Sequence, residues 1–321
     1  MSFPIRLSRF RGTPAIRSLT AETQLSAADF VLPLFVSECI AGSRPISSLP
    51  DVSQYDLSSL VEEVRSCVAV GIKAVMLFGI PQHKDSRGTA AHDPEGIVQR
   101  AIRALKSEFS DLVIMADCCL CEYTDHGHCG IMTESGLDND ETLKILQAVA
   151  CSYAEAGADV VAPSGMMDGM VASIRTALDQ ADFTSTLILS YAVKYASHFY
   201  GPFREAAGAA GNFKGDRRHH QLAPSQRMEG IREAELDVAE GADMLMVKPA
   251  GLYLDMIRDL RERTLLPLAA YHVSGEYAMI KAAAKAGIVD EYEAFNETFI
   301  AIKRAGAGLI ITYYAKEFLT K

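Results

Sequence analysis

No run of apolar residues in this sequence approaches the ~20 needed to cross a bilayer as a helix. Its first residues carry no hydrophobic stretch of the kind that opens a secretory signal, so a cytoplasmic protein is the expectation. Basic charge is also in short supply: 31 Lys and Arg stand against 41 Asp and Glu, a formal net charge of -10. Neutralising phosphates takes a concentrated basic surface, and this balance argues against nucleic acid as a partner. A disulfide framework is missing too. The 7 cysteines are odd in number and come with no secretion signal, which leaves metal chemistry or burial to explain them.

The one early basic cluster, Arg6, Arg9, Arg11 and Arg17, is interrupted by Phe3, Pro4, Ile5, Phe10 and Pro14. That pattern reads as an extended N-terminal arm over residues 1–28 rather than an amphipathic targeting helix. Beyond it, short β-rich apolar runs alternate with helical periodicity: Phe30 to Val36, Ala74 to Ile80, Leu112 to Cys118, Asp159 to Pro163, Leu187 to Val193, Met244 to Val247, Leu266 to Tyr271 and Leu309 to Tyr314. Near-continuous hydrophobicity suits parallel strands buried on both faces, which helices must connect. Four of the strands are introduced by similar phrases, Ala69-Val70-Gly71-Ile72-Lys73, Glu155-Ala156-Gly157-Ala158-Asp159, Ala239-Glu240-Gly241-Ala242-Asp243 and Arg304-Ala305-Gly306-Ala307-Gly308, each with a glycine placed to end a helix. Eight such strands, and no glycine-rich dinucleotide loop after the first, predict an α/β fold: a single (β/α)8 TIM barrel over residues 29–321 with the arm in front of it. Residues 195–224 form a long insertion after the fifth strand, a length that implies a lid or binding loop.

In such a barrel the C-terminal strand ends carry the chemistry. Strand three ends in Asp117, Cys119 and Cys121, four ends near Ser164, five in Lys194, six in Lys248, seven near Ser274, and eight contains Tyr313. A single lysine at a strand end is usually just solvated. Two on adjacent strands are different, because a neighbouring ammonium and partial desolvation favour the neutral amine that attacks a ketone to form a Schiff base. Cys119, Cys121 and Cys129 supply three thiolates, whose softness selects zinc. Spacing alone leaves that site open between structural, with Cys118, His126 or His128 as fourth ligand, and catalytic with one open position; its place at a strand end favours catalysis. Cys39, Cys67 and Cys151 stand among apolar neighbours and read as small core residues. In the long insertion, glycine- and alanine-rich sequence flanked by Arg204 and Arg217 implies a mobile clamp for an anionic group.

The cysteine segment 115–130, Ala-Pro-Ser-Gly-Met-Met-Asp-Gly from 162, Lys194 with Phe-Tyr-Gly-Pro-Phe-Arg-Glu-Ala-Ala-Gly from 199, Met-Val-Lys-Pro-Ala from 246 and Val-Ser-Gly-Glu-Tyr-Ala-Met from 273 together resemble the porphobilinogen synthase (5-aminolevulinate dehydratase) family, zinc-dependent and bacterial in type. The resemblance implies that two 5-aminolevulinate molecules condense with loss of two waters in tetrapyrrole synthesis. It implies one Schiff base at Lys248, with the substrate giving the propionate-bearing half, and a second at Lys194. Asp117, Ser164, Phe203, Arg204, Arg217 and Gln221 would surround the substrates, and Ser274 and Tyr313 would hold a carboxylate. By the same matching Cys119, Cys121 and Cys129 bind a catalytic zinc, Glu233 belongs to an allosteric magnesium site, and the assembly is a homo-octamer. Two features depart from the family pattern: the extra thiol at Cys118, and His220 where an aromatic residue is usual. The rival readings are another class I aldolase, needing neither the second lysine nor the thiolates, and a non-catalytic zinc-binding protein.

Overall fold

The computed structural model describes residues 5–134, 136–208 and 217–321. Its strands are β1 (Phe30–Ser37), β2 (Ala74–Ile80), β3 (Val113–Cys118), β4 (Val160–Pro163), β5 (Leu187–Lys194), β6 (Met244–Lys248), β7 (Leu268–His272) and β8 (Leu309–Thr312). Each pairs in parallel with the next, and the sheet closes where Phe30 and Val31 of β1 meet Ile310 and Ile311 of β8. The result is the expected (β/α)8 barrel. The helices α1 (Leu57–Ala69), α2 (Ile97–Glu108), α3 (Asn139–Ala156), α4 (Met170–Gln180), α5 (Met228–Glu240), α6 (Leu254–Arg263), α7 (Ser274–Lys285) and α8 (Glu291–Ala305) lie between successive strands, the last two both between β7 and β8.

The recurring phrases explain how the chain re-enters the sheet. Gly71, Gly157, Gly241 and Gly306 have φ of 99°, 102°, 101° and 130°, the left-handed region that side chains resist, so each turns the chain out of its helix. In the two copies ending in aspartate the carboxylate then accepts the amide of the second residue of the preceding strand: Ile114 N to Asp159 Oδ2 and Ile188 N to Asp243 Oδ2, both 2.7 Å. Helix starts are equally specified. Asp56, Asp138 and Asp290 accept the amides of Ser59, Glu141 and Glu293 at 2.8, 3.0 and 2.9 Å, meeting donors that a helix leaves unpaired.

The structure departs from expectation at several points. Strand β8 stops at Thr312, so Tyr313 lies just beyond it rather than within it. Residues 5–22 are exposed throughout, yet the arm is not simply extended: Leu7–Arg11 form a 3-10 turn and Pro14–Leu19 a short helix capped by Thr13. Of the three cysteines read as core, Cys67 is buried, Cys151 is half-buried and Cys39 is exposed, two residues past the end of β1 where the chain leaves the sheet. The insertion after β5 folds into a 3-10 turn (His198–Tyr200) and a helix (Gly201–Ala206), here called the flap. Phe3 and Pro4 of the arm, and the glycine-rich 209–216 stretch read as mobile, lie outside the described residues.

Candidate active site

The two lysines meet as expected. Lys194 ends β5 and Lys248 ends β6, and they are register partners across the two strands. Both are buried. Lys194 donates its ammonium to the Ser164 carbonyl at 2.5 Å. Lys248 sits in an aromatic box, its Nζ 4.2 Å from the ring centre of Tyr271, 5.1 Å from Tyr191, 5.2 Å from Phe203 and 5.4 Å from Tyr200. Burial first, and the Lys194 charge second, push Lys248 down to about 7, against the pull of Asp117. The ring faces favour the ammonium and offset part of that effect. Near neutral pH the pocket therefore holds both protonated and nucleophilic forms of one amine.

Asp117 on β3 completes this floor. Its Oδ2 accepts from the Ser164 hydroxyl at 3.2 Å, and burial together with the nearby Glu122 pushes it up to about 7. Successive strand residues point to opposite sides. The Cys118 thiol accordingly faces outward, 3.8 Å from the Leu146 carbonyl on α3, and does not join the metal triplet. Cys119, Cys121 and Cys129 do come together: their sulfurs all lie within 4.8 Å of one another, fully buried, with 3.4 Å between Cys119 and Cys121. Tetrahedral zinc with ~2.3 Å Zn–S bonds separates its sulfurs by ~3.8 Å, so the three thiols fit the ion. Among the described residues neither His126 nor His128 enters this cluster. The Cys129 thiol is held well below its usual range by the other two thiols and by the buried Arg217, which also donates to the Gly127 carbonyl at 2.8 Å.

The flap closes the other side. Phe203 packs 5.8 Å from Phe35 and 5.2 Å from Phe78, ring centre to ring centre, and so covers the mouth of the barrel. Arg204 is half-buried, its pKa lowered by desolvation and by Arg217. The Ser274 hydroxyl accepts the Phe203 amide at 3.1 Å and donates to the Phe199 carbonyl at 3.3 Å, so it holds the flap. Tyr313 lies 3.3 Å from Tyr271, hydroxyl to hydroxyl. Glu233 on α5 stands apart from the lysines. It lines a cavity of 680 Å³ with Asp168, Glu229, His220 and Gln221. Burial and the neighbouring Asp168 raise its pKa.

A family model described as delta-aminolevulinic acid dehydratase matches residues 4–321. The chain belongs to the delta-aminolevulinic acid dehydratase family. It is 51% identical over 312 residues to the delta-aminolevulinic acid dehydratase of Bacillus subtilis, covering 97% of this chain and 96% of that one. It is 53% identical over 320 residues to that of Archaeoglobus fulgidus, covering 99% and 98%. The crystal structure of the Toxoplasma gondii delta-aminolevulinic acid dehydratase (porphobilinogen synthase) with the reaction product porphobilinogen superposes with a TM-score of 0.97 at 43% identity, covering 99% of this chain and 91% of that one.

For this dehydratase-family chain, reading the sequence alone missed two parts of the pocket. Tyr191, Tyr200 and Tyr271 form three walls of the lysine box, and their strand and loop positions look like ordinary core. Glu122 is buried beside Asp117 and Cys119, with Oε1 unmet by any donor among the described residues. Its position between Cys121 and Cys129 was a signal that the loop wraps inward.

Proposed function

We propose that this chain condenses two molecules of 5-aminolevulinate to porphobilinogen, releasing two waters, through lysine Schiff bases. The observation that carries the reading is the paired, buried lysines of β5 and β6, with the Lys248 amine pushed down to about 7. In its neutral form the Lys248 nitrogen attacks the ketone carbon of one substrate; the adduct loses water and leaves an imine in the aromatic box. Lys194 binds the second ketone in the same way. Asp117 and Ser164 then stand beside both nitrogens to take up or return protons, and Gln221 helps surround the substrates. Arg204 and Arg217 face the substrate carboxylates from the flap side, where guanidinium forks suit an acid group. Ser274 and Tyr313 hold the other carboxylate at the β7 and β8 ends. Phe203 excludes water above Lys248.

Cys119, Cys121 and Cys129 are the residues that would hold a catalytic zinc, which would supply a Lewis acid for a substrate oxygen or water. Three protein ligands leave one position open for that role. The reading of Glu233 as an allosteric magnesium residue is supported by Asp168 and Glu229 in the same cavity, because hydrated magnesium takes one or two carboxylates and keeps several waters. The exposed Ile5, Leu7, Phe10 and Leu19 of the arm support a homo-oligomer, read as an octamer, that covers them. Among the described residues no helix is long and apolar enough to cross a membrane. The test is incubation with 5-aminolevulinate, detection of the pyrrole with an aldehyde colour reagent, and borohydride trapping. Product with an adduct at Lys248 is expected; turnover with no adduct there overturns the role given to Lys248.

A further inference from the structure

The flap carries Phe203 and Arg204, so whatever fixes the flap fixes them. On its N-terminal side it rests on Ser274 and Gly275. A side chain at Gly275 would meet the Phe199 carbonyl oxygen at 2.6 Å and its Cα at 2.8 Å, so the two backbones are in direct contact. On its C-terminal side the helix Gly201–Ala206 leaves carbonyls that no helical amide reaches. One of them, and a carbonyl two residues past the helix, are met from two other parts of the barrel mouth. The buried Gln54 donates Nε2 to the Ala206 carbonyl at 2.6 Å, and Lys84 donates to the Gly208 carbonyl at 3.0 Å. Gln54 lies in a short strand, Ser53–Tyr55, that pairs with the end of β1 opposite Phe35, the residue against which Phe203 packs.

The direction of the Gln54 amide is itself determined. Arg44, on the adjoining strand Ser43–Pro45, donates to Gln54 Oε1 from Nε at 3.2 Å and from Nη2 at 2.5 Å. A guanidinium only donates, so the oxygen must face Arg44 and the amide nitrogen must face Ala206. Neighbouring contacts run the same way, from Ser47 to Glu205 and, at 3.4 Å, from Ser48 to the Pro202 carbonyl.

We infer that Gln54 is a positioning residue for the active site: its carboxamide, oriented by Arg44, ties the C-terminal end of the flap helix to the end of β1 and so keeps Phe203 against Lys248 and Arg204 beside Arg217. The inference rests on the function proposed above for what the flap does, but the latch itself is a property of the folded chain. Gln54→Glu is the informative change. It keeps the size and the acceptor for Arg44, removes the donor, and sets a carboxylate against a carbonyl oxygen. Losing one buried hydrogen bond in this way corresponds to about a tenfold rise in KM for 5-aminolevulinate or more. Saturated kcat should change far less, because bound substrate re-forms the closed flap.

Hydrogen exchange without substrate gives the second readout: amides of 201–208 should exchange faster in Gln54→Glu while those of β5 and β6 are unchanged. Arg44→Met, on an exposed edge strand, leaves the Gln54 amide unoriented and should show both effects more weakly; it also serves if Gln54→Glu does not fold. Unchanged KM and unchanged exchange of 201–208 in a folded variant overturn the latch. So does a loss of kcat at unaltered KM and exchange. Faster exchange of 201–208 in Gln54→Glu, beside a native protein that makes no pyrrole, would leave the latch standing and overturn the proposed function instead.

Discussion

Replacing Lys194 with methionine isolates one term in the chemistry of Lys248. The two lysines are register partners on adjacent strands. With strands ~4.8 Å apart, paired ammoniums lie ~5–7 Å from each other. At an effective dielectric of ~20 their repulsion is ~2–3 kcal/mol, or about two pKa units. Methionine removes the charge and keeps most of the bulk, so Lys248 should rise from about 7 to about 9. Because the neutral amine is the nucleophile, the reactive fraction at pH 7 falls from about one half to about one per cent. Imine formation should therefore slow roughly 50-fold at neutral pH and recover as pH rises through the new midpoint. Levulinate, the substrate without its amine, trapped with cyanoborohydride over about pH 6 to about pH 10, reads that midpoint at Lys248 without requiring turnover. The variant also leaves the Ser164 carbonyl without its 2.5 Å donor, so a thermal melt must first show that it is folded. If the trapping midpoint is the same in both proteins, the neighbouring charge is not what activates Lys248.

Removing metal from Cys119, Cys121 and Cys129 by chelation should abolish turnover while the melting temperature moves little, since the barrel closes without those residues; cooperative unfolding on chelation would instead make the site structural. Glu233→Ala should lose the magnesium response yet keep turnover at high protein concentration, and an unchanged magnesium activation curve counts against the allosteric reading. Gly275→Ala drives a Cβ to 2.6 Å from the Phe199 carbonyl oxygen. It should cost ~1–3 kcal/mol of stability and raise KM by displacing the flap, so wild-type melting and KM together would contradict that contact.

Much of the molecule was legible along the chain because barrels are built from repeated local units. Continuous apolar runs and helix-ending glycines are each decided within a few residues, and together they specify eight strands and the helices between them. The strand-end rule then placed Asp117, Lys194 and Lys248 at one mouth, since in parallel pairing every strand presents the same end there. What stayed hidden depends on neighbours distant in sequence. Cys118 and Cys119 are the same residue type side by side, and only the pleat of β3 against α3 turns one outward and the other toward the thiol cluster. Tyr191, Tyr200 and Tyr271 become walls around one amine because three separate segments converge on it. Cys39 reads as core by its neighbours but is exposed, because burial is set by where the chain leaves the sheet. Gln54, an unremarkable glutamine in sequence, acquires its partner only when the flap folds back across 152 residues of chain to the end of β1.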